Sequence, residues 1–329
     1  MEFLLGCFTL FASLFLIATL IVYSLLEKIR NIHGVIVMCF LASLTVMNIS
    51  CSIRRLFIGV PSTGLCLTIA ILQHFSFIAT YSWLNVVCFG VWRMFRTVSL
   101  PTHKPIWGKQ FFYSSVYGWG IPLVIVVVGQ IVQNCDVPDY IIKPGLASKM
   151  YCWFDREDRE PKNVYLYGPI VAMVGANYIM IIWAAIKFCQ RSVESSQVTN
   201  VSRNKQRFKV ILSLFLLMCM PWSVGVIVCV AGNNIDYEIL RTFNILWPIF
   251  IFIIFVCKPS VWKMLKLKFP WISPFLSTCE KLGSKIICMK SKHQPLVTVT
   301  RNELNSINMA GISGKFTQIG YQRHTESTV

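Results

Sequence analysis

The stretch FLLGCFTLFASLFLIATLIVYSLL, residues 3–26, decides the fold, because its unbroken apolar length is enough to cross a bilayer. A secretory signal peptide has a basic start and an apolar core of about 7 to 15 residues. Here only Met1 and Glu2 precede a longer apolar run. We therefore interpret the stretch as a retained membrane span.

Six more apolar windows follow in the 329 residues, of which 55% are hydrophobic. They run from Val35 to Ile53, Gly64 to Trp92, Phe111 to Val132, Val164 to Ile186, Val210 to Ala231 and Ile239 to Cys257. A mean hydropathy of +0.60 is far above that of soluble proteins. The sequence therefore predicts an all-α membrane protein, with a seven-transmembrane helix bundle over residues 1–257.

The Lys and Arg residues give the bundle an orientation. With an extracellular N-terminus, 23 of the 31 basic residues fall in the inner loops and the C-terminal tail, as they do in cytoplasmic segments of membrane proteins. We therefore expect a multi-pass plasma-membrane protein with its N-terminus outside and its C-terminus in the cytoplasm. Basic residues beside anionic lipid explain the formal charge of +17, so nucleic acid is not an expected partner.

The longest outer loop contains the segment YCWFDREDREPK, residues 151–162, whose mixed charges indicate a water-exposed surface. Three cysteines face the oxidising exterior, and an odd number leaves one unpaired. A bridge from Cys66 to Cys152 would hold the loop over the bundle, whereas a bridge from Cys135 to Cys152 would close only a local loop. The first pairing is favoured, and the second stays open.

The apolar cores exclude several function classes. None of the seven contains Asp or Glu, which ion-coupled transporters keep within the membrane. The seventh has no lysine for a retinal Schiff base. The five histidines show no spacing typical of metal ligands or of a nucleophile and its base. We therefore expect neither an enzyme nor a protein that needs a metal or cofactor.

Sparse polar and aromatic residues near the outer side are candidates for ligand contact. In chain order they are Gln73, His74, Trp153, Asn244 and Trp247. Gln73 and His74 lie about two helical turns below Cys66. The alternative is that such amides only join helices by hydrogen bonds. Pro221 in the sixth span and Pro248 in the seventh are predicted to kink their helices.

Six short motifs follow one another along these spans. They are IRNIHG (29–34), LNVVCFGVWRMFR (84–96), the pair Cys152-Trp153, YLYGPI (165–170), WSVGVIVCV (222–230) and FIIFVCKPSVWKML (252–265). Together they resemble the heptahelical region of the Methuselah-like receptors, which belong to the secretin-like class B G-protein-coupled receptors. The resemblance covers about residues 1–268. It implies a receptor that answers an extracellular ligand by opening its cytoplasmic face to a heterotrimeric G protein, with arrestin as a further partner.

The resemblance also assigns individual residues. In that family a cysteine at the top of the third span bridges to the cysteine of the outer loop, which implies a disulfide between Cys66 and Cys152. His33 stands where such receptors place a histidine of an inner polar network that helps to hold the inactive state.

This chain departs from the family in three places. Gly90 stands where relatives often have an acid, and Trp247-Pro248 where Gln-Gly is usual. The chain starts at the membrane, so we expect it to lack the usual cysteine-rich ectodomain. These departures support an alternative, a heptahelical partner or decoy receptor of the same descent without its own G-protein coupling.

Basic residues at the inner ends of the spans are candidates for contact with a G protein. With His33 they are Arg93, Arg96, Arg203, Lys205, Arg207 and Lys209. We predict that residues 258–270 form an amphipathic helix along the inner leaflet. We expect residues 271–329 to form a mostly disordered cytoplasmic tail. The terminus ESTV suits a PDZ domain, with Ser327 and the carboxylate of Val329 as its contacts.

Overall fold

The computed structural model describes residues 2–56, 63–96, 108–147, 152–154, 160–194 and 235–270. The predicted sixth span, six of the twelve residues of the charged outer segment and the tail lie outside the described residues. So do six candidate residues and one predicted kink, which are Arg203, Lys205, Arg207, Lys209, Ser327, Val329 and Pro221. Arg96 and Asn244 lie in described helices, but their side chains are not described.

Helices make up the regular structure of the described residues, which include no strand. Their bounds are α1 Glu2–Leu25, α2 Ile32–Leu56, α3 Thr63–Arg96, α4 Lys109–Asn134, α5 Gly168–Glu194, α6 Ile235–Val256 and α7 Pro259–Lys268. A helical turn at Glu160–Lys162 and a π-helix at Asn163–Tyr167 lead into α5. Hydrocarbon offers backbone N–H and C=O groups no partner, so a spanning chain forms its hydrogen bonds within helices.

Five segments of the described chain are long and apolar enough to cross a membrane, and the bent pair Ile245–Val256 and Val261–Lys268 gives a sixth. The first of them, Glu2–Leu25, coincides with the stretch interpreted as a retained span. The prediction of an all-α membrane protein is therefore confirmed. Of the two predicted kink positions, Pro248 lies within α6.

The third helix lies at the centre of the described bundle, because α3 contacts α2, α4 and α5. Its Trp83 is fully buried and belongs to the larger core cluster together with Phe40 and Leu41 of α2. A second core cluster nearer the outer side combines Ile78 of α3 with Ile170 of α5. Displacing α3 would therefore disturb both clusters.

The first helix packs between the second helix and the last span. α1 contacts both α2 and α6. The rings of Phe15 and Phe252 meet edge to face with centroids 5.5 Å apart, and Tyr23 and Phe255 repeat the arrangement at the same distance. These aromatic pairs join the beginning of the bundle to its end.

Hydroxyl groups in α1 and α2 find partners without water. Each of these hydroxyls donates a hydrogen bond of 2.6 to 2.9 Å to the backbone carbonyl oxygen four residues earlier in its helix. The donors are Thr9, Ser13, Thr19, Ser43, Thr45, Ser50 and Ser52. Asn48 likewise donates from Nδ2 to the carbonyl of Leu44. Such back-bonding removes the cost of placing a polar side chain in hydrocarbon.

The short helix α7 turns away from the last span at an angle of 73°. Val261, Trp262 and Leu265 on one of its faces are buried, so that face packs against the protein. Just before the helix, the Nζ atom of Lys258 lies 5.7 Å from the centre of the Phe255 ring. Burial lowers the pKa of this lysine, because the charged form is the less favoured one away from water.

The end of α7 is attached to the inner end of α1. The Nζ atom of Lys268 donates to the carbonyl oxygen of Leu25 over 2.6 Å. The same ammonium lies 3.9 Å from the carboxylate of Glu27. The C=O groups in the last turn of a helix lack intrahelical N–H donors, and Lys268 supplies a donor to one of them.

A glycine on α4 permits the closest contact between α4 and α3. A Cβ atom added to Gly118 would lie 2.5 Å from Cε2 of Trp83. The indole has little room to withdraw, because it is fully buried and meets Trp119 edge to face at 5.3 Å. At Gly120, by contrast, an added Cβ would meet nothing within 4 Å. Substitution of Gly120 is therefore a matched control for substitution of Gly118.

We predict that Gly118→Ala lowers the free energy of unfolding by about 1 to 3 kcal/mol, because an overpacked core must shift to make room. Gly120→Ala should be neutral or slightly stabilising, since alanine is the better helix former. Thermal unfolding of the detergent-solubilised protein compares the two. Equal melting temperatures for both variants would contradict this account of the α3–α4 contact.

Candidate functional site at the outer mouth

The outer loop that follows α4 is held to the bundle by a disulfide. Cys66 in the first turn of α3 is bonded to Cys152, and their Cα atoms lie 4.8 Å apart. This is the favoured pairing and the one that the family resemblance implies. Cys135, the alternative partner, is a free and exposed thiol. The loop therefore stays over the outer end of α3.

Hydrogen bonds hold the rest of the described loop against α4 and the π-helix. The backbone N–H of Gly145 donates to Oε1 of Gln133 over 2.7 Å. The Tyr165 hydroxyl donates to the carbonyl oxygen of Ile142 over 2.8 Å. Gly145 has a φ of 62°, a left-handed conformation that glycine adopts without strain. The loop is thus attached at several points besides the disulfide.

An arginine at the end of α2 joins α3 to this loop. The Nε atom of Arg54 donates to Oε1 of Gln73 over 3.1 Å. Its guanidinium carbon also lies 5.9 Å from the centre of the Trp153 ring, in a cation–π contact. Gln73 is only 3% exposed, and its amide oxygen accepts this charge-assisted hydrogen bond.

The next arginine points to the other side of α2. The Nη1 atom of Arg55 donates to the hydroxyl of Thr9 over 3.2 Å, and its Nε lies 3.9 Å from the Glu2 carboxylate. Consecutive residues on a helix point about 100° apart. The end of α2 is therefore attached to α1 through Arg55 and to α3 and the loop through Arg54.

Aromatic rings fill the space beneath the loop. Phe154 is 1% exposed and meets the ring of His74 edge to face at 5.3 Å. It meets Trp153 in the same way at 5.2 Å. Trp153 in turn lies 6.5 Å from Phe77. The two residues after Cys152 therefore act as an aromatic plug against α3.

His74 forms a hydrogen bond with the π-helix that leads into α5. Its Nε2 atom lies 2.9 Å from the carbonyl oxygen of Tyr165, which belongs to the π-helix Asn163–Tyr167. A carbonyl oxygen only accepts, so Nε2 carries the proton and donates. The other ring nitrogen, Nδ1, is buried without a partner among the described residues.

The predicted ligand contacts fall into two groups in the structure. Gln73, His74 and Trp153 come together at the outer mouth, which we define as these three residues with Arg54 and Phe154. Trp247 instead lies in the larger core cluster and is 5% exposed. From Ile245 to Val256 this span is apolar on every side, so its sequence did not reveal which face is buried.

Deeper polar residues lie along the contact between α3 and α5. The Nδ2 atom of Asn85 donates to the carbonyl oxygen of Met173 over 3.3 Å. Asn177, one turn further along α5, is fully buried, and neither of its amide atoms has a partner among the described residues. Asn85 therefore joins two helices, as the alternative reading of such amides predicted.

On the inner side, His33 of α2 lies against Gly90 of α3. A Cβ atom added to Gly90 would lie 3.1 Å from Cε1 and 3.3 Å from Nδ1 of the imidazole. The glycine therefore leaves the histidine ring room to approach the backbone of α3. Arg93, one turn further along, is exposed.

The outer mouth brings together a cation, an aromatic face and an amide, from Arg54, Trp153 and Gln73. Within the described part of the chain, no cluster of three or more His, Cys, Asp or Glu side chains could hold a metal ion.

Two residues of the mouth, Arg54 and Phe154, were missed by the sequence reasoning. Arg54 carried a usable signal, because an arginine at the predicted outer end of a span runs against the usual distribution of positive charge. Phe154 carried another, since it directly follows the Cys152-Trp153 pair. Neither signal identifies the partner, which is set by the packing of α2, α3 and α5.

Comparison with known proteins gives a consistent result. A family model described as "7 transmembrane receptor (Secretin family)" matches residues 4–254. G-protein coupled receptor Mth2 of Drosophila simulans is 33% identical over 266 residues, which cover 77% of this chain and 49% of the relative. Probable G-protein coupled receptor Mth-like 10 of Drosophila melanogaster is 31% identical over 275 residues, covering 77% and 46%. The chain thus spans about half the length of these curated relatives.

We predict that His74→Leu lowers the free energy of unfolding by about 0.5 to 1.5 kcal/mol, because it removes the hydrogen bond to the Tyr165 carbonyl. His74→Gln should cost less, since its side-chain amide can still donate a hydrogen bond. Thermal unfolding of the solubilised protein measures both variants. A His74→Gln variant that melts no higher than His74→Leu would contradict a stabilising role for this hydrogen bond.

Proposed function

Since the chain belongs to the secretin family of seven-transmembrane receptors, and within it to the Methuselah-like group, we propose that it transmits an extracellular ligand signal to a heterotrimeric G protein. The observation that carries the proposal is the outer mouth, where Arg54 joins Gln73 of α3 to Trp153 of the outer loop. It supports a receptor because these polar contacts join α2 and α3 to the disulfide-linked loop.

The proposed ligand presents an acceptor, such as a carboxylate or carbonyl, to Arg54. Such a group competes with the Gln73 oxygen for the guanidinium, and an aromatic or apolar part of the ligand competes for Trp153. Both competitions loosen the connection between α2, α3 and the loop. Because α3 is one continuous helix from Thr63 to Arg96, a shift at its outer end is carried to Gly90 and Arg93.

The proposed contact surface for the G protein lies at the inner ends of the spans. It consists of Arg93 and Arg96 at the end of α3, with Arg203, Lys205, Arg207 and Lys209 of the third inner loop. His33, packed on Gly90, lies at the border of this surface. Arrestin is proposed to bind the same inner face, and a PDZ domain to bind Ser327 and Val329 at the C-terminus.

The proposed cellular location is the plasma membrane, with the N-terminus outside the cell and the C-terminal tail in the cytoplasm. The Cys66–Cys152 disulfide supports this orientation, since disulfides persist on the oxidising side of a membrane. The basic residues of the inner loops support it as well.

A second function has one observation in its favour. The position of α3 beside His33 is occupied by Gly90, which has no side chain and so offers the imidazole no acid at this point. A heptahelical partner or decoy receptor without its own coupling would tolerate this change.

Coupling is tested by resonance-energy transfer between the chain and a panel of G proteins, in cells exposed to tissue extracts. We expect a ligand-dependent signal that falls about tenfold or more when Arg203, Lys205, Arg207 and Lys209 are changed to Gln, because charge pairs guide the encounter. The matched control removes four tail charges, at Lys281, Lys285, Lys290 and Lys292, and should keep the signal. Silence at confirmed surface expression would favour the non-coupling alternative.

Orientation is tested with epitope tags at the two ends of this chain. We expect antibody to label the N-terminal tag on intact cells and the C-terminal tag only after permeabilisation, because the inner loops carry the basic excess. A cysteine-directed, membrane-impermeant reagent that reaches Cys135 on intact cells provides a second measurement. Labelling of the C-terminal tag on intact cells would overturn the proposed topology.

A further inference from the structure

A groove of about 820 Å³ lies between the outer halves of α3 and α4, away from the outer mouth. Its α3 wall includes Leu72 and Phe75, and its α4 wall includes Val127, Gln130 and Ile131. A volume of this size lies within the roughly 300 to 1,000 Å³ of small-molecule sites. The groove is therefore large enough for a complete lipid-sized molecule.

The groove opens sideways towards hydrocarbon. Leu72 is 45% exposed, Val127 45% and Ile131 55%, and all three lie within apolar membrane-spanning helices. A molecule that enters the groove therefore comes from the bilayer.

Three polar side chains, Thr68, Gln130 and Asn134, lie towards the outer end of the otherwise apolar lining. The Nε2 atom of Gln130 is buried and has no hydrogen-bond partner among the described residues. The nearby Asn134 does not satisfy it, because its Nδ2 donates to the backbone carbonyl of Gln130 and leaves the side-chain amide free. An unpaired N–H donor within a membrane span is costly, so an occupant with an acceptor would be favoured.

The position of this donor constrains the occupant. Gln130 lies about one helical turn, or roughly 6 Å, below the outer end of α4 at Asn134. The apolar walls continue inwards from it to Phe75, whose ring stacks on Trp119 with the planes 10° apart and closes the inner end. The groove thus has a polar end near the membrane surface, with one unpaired donor, and an apolar compartment below it.

We propose that the groove binds a sterol from the outer leaflet. The sterol hydroxyl oxygen accepts a hydrogen bond from Nε2 of Gln130, and the ring system lies between Leu72 and Val127 above Phe75. A hydroxyl at one end of a rigid apolar body matches the unpaired Gln130 donor at the polar end of an otherwise apolar groove. A rigid ring system also loses less conformational freedom on binding than a flexible acyl chain.

The test is photolabelling of the full chain in phosphatidylcholine nanodiscs, with a diazirine-bearing sterol that keeps its hydroxyl. We expect saturable labelling of α3 and α4 segments, competed by unlabelled sterol. Gln130→Leu should weaken the apparent affinity about three- to tenfold, as expected for one neutral hydrogen bond. Val127→Trp should weaken it about tenfold or more, because the indole fills the groove.

The matched control is Val124→Trp, on the same helix at a position that is 61% exposed and outside the groove lining. It should leave labelling unchanged, and the melting temperature of each variant confirms that it is folded. Labelling that is equal in Val124→Trp and Val127→Trp would overturn the site. Equal labelling of the same segments by a diazirine-bearing phospholipid, with the same loss in Gln130→Leu, would overturn the assignment to a sterol.

Discussion

The covalent bond between Cys66 and Cys152 is the constraint on which the outer half of the receptor depends. It fixes the two residues that follow it, Trp153 and Phe154, against α3. Those two rings in turn contact the guanidinium of Arg54 and the imidazole of His74. Without the bond, the aromatic plug would have to be held by a long loop whose ordering costs conformational entropy.

The third helix turns this local arrangement into a connection across the membrane. It carries the disulfide at its outer end, an amide bonded to α5 at Asn85 and the Gly90 contact with His33 near its inner end. Its packing is close where it meets α4, since Gly118 gives Trp83 its space. Close-packed interiors transmit displacements rather than absorbing them, so α3 connects the outer mouth to the Gly90–His33 contact near its other end.

The spans were predictable because hydrocarbon imposes a length and a composition that can be read residue by residue. The topology left two possible disulfide pairings for Cys152, and the family resemblance favoured one of them. The burial of Trp247 in the core cluster was not predictable, because the helix is apolar on every side from Ile245 to Val256. Its contact with a ligand stays a prediction. The contacts of Arg54 and Tyr165 depend on how separate helices pack together, so the local sequence around each residue does not predict them.

The attachment of Lys268 to the carbonyl of Leu25 has a consequence for biosynthesis. The two residues are separated by 243 positions. At about 5 to 20 residues per second, roughly 10 to 50 s pass between the synthesis of the two partners. During that interval the first helix is already made while its partners Phe252 and Phe255 are not. The ribosome therefore completes the first helix long before its final neighbours exist, and lipid or a membrane chaperone must cover that face in the meantime.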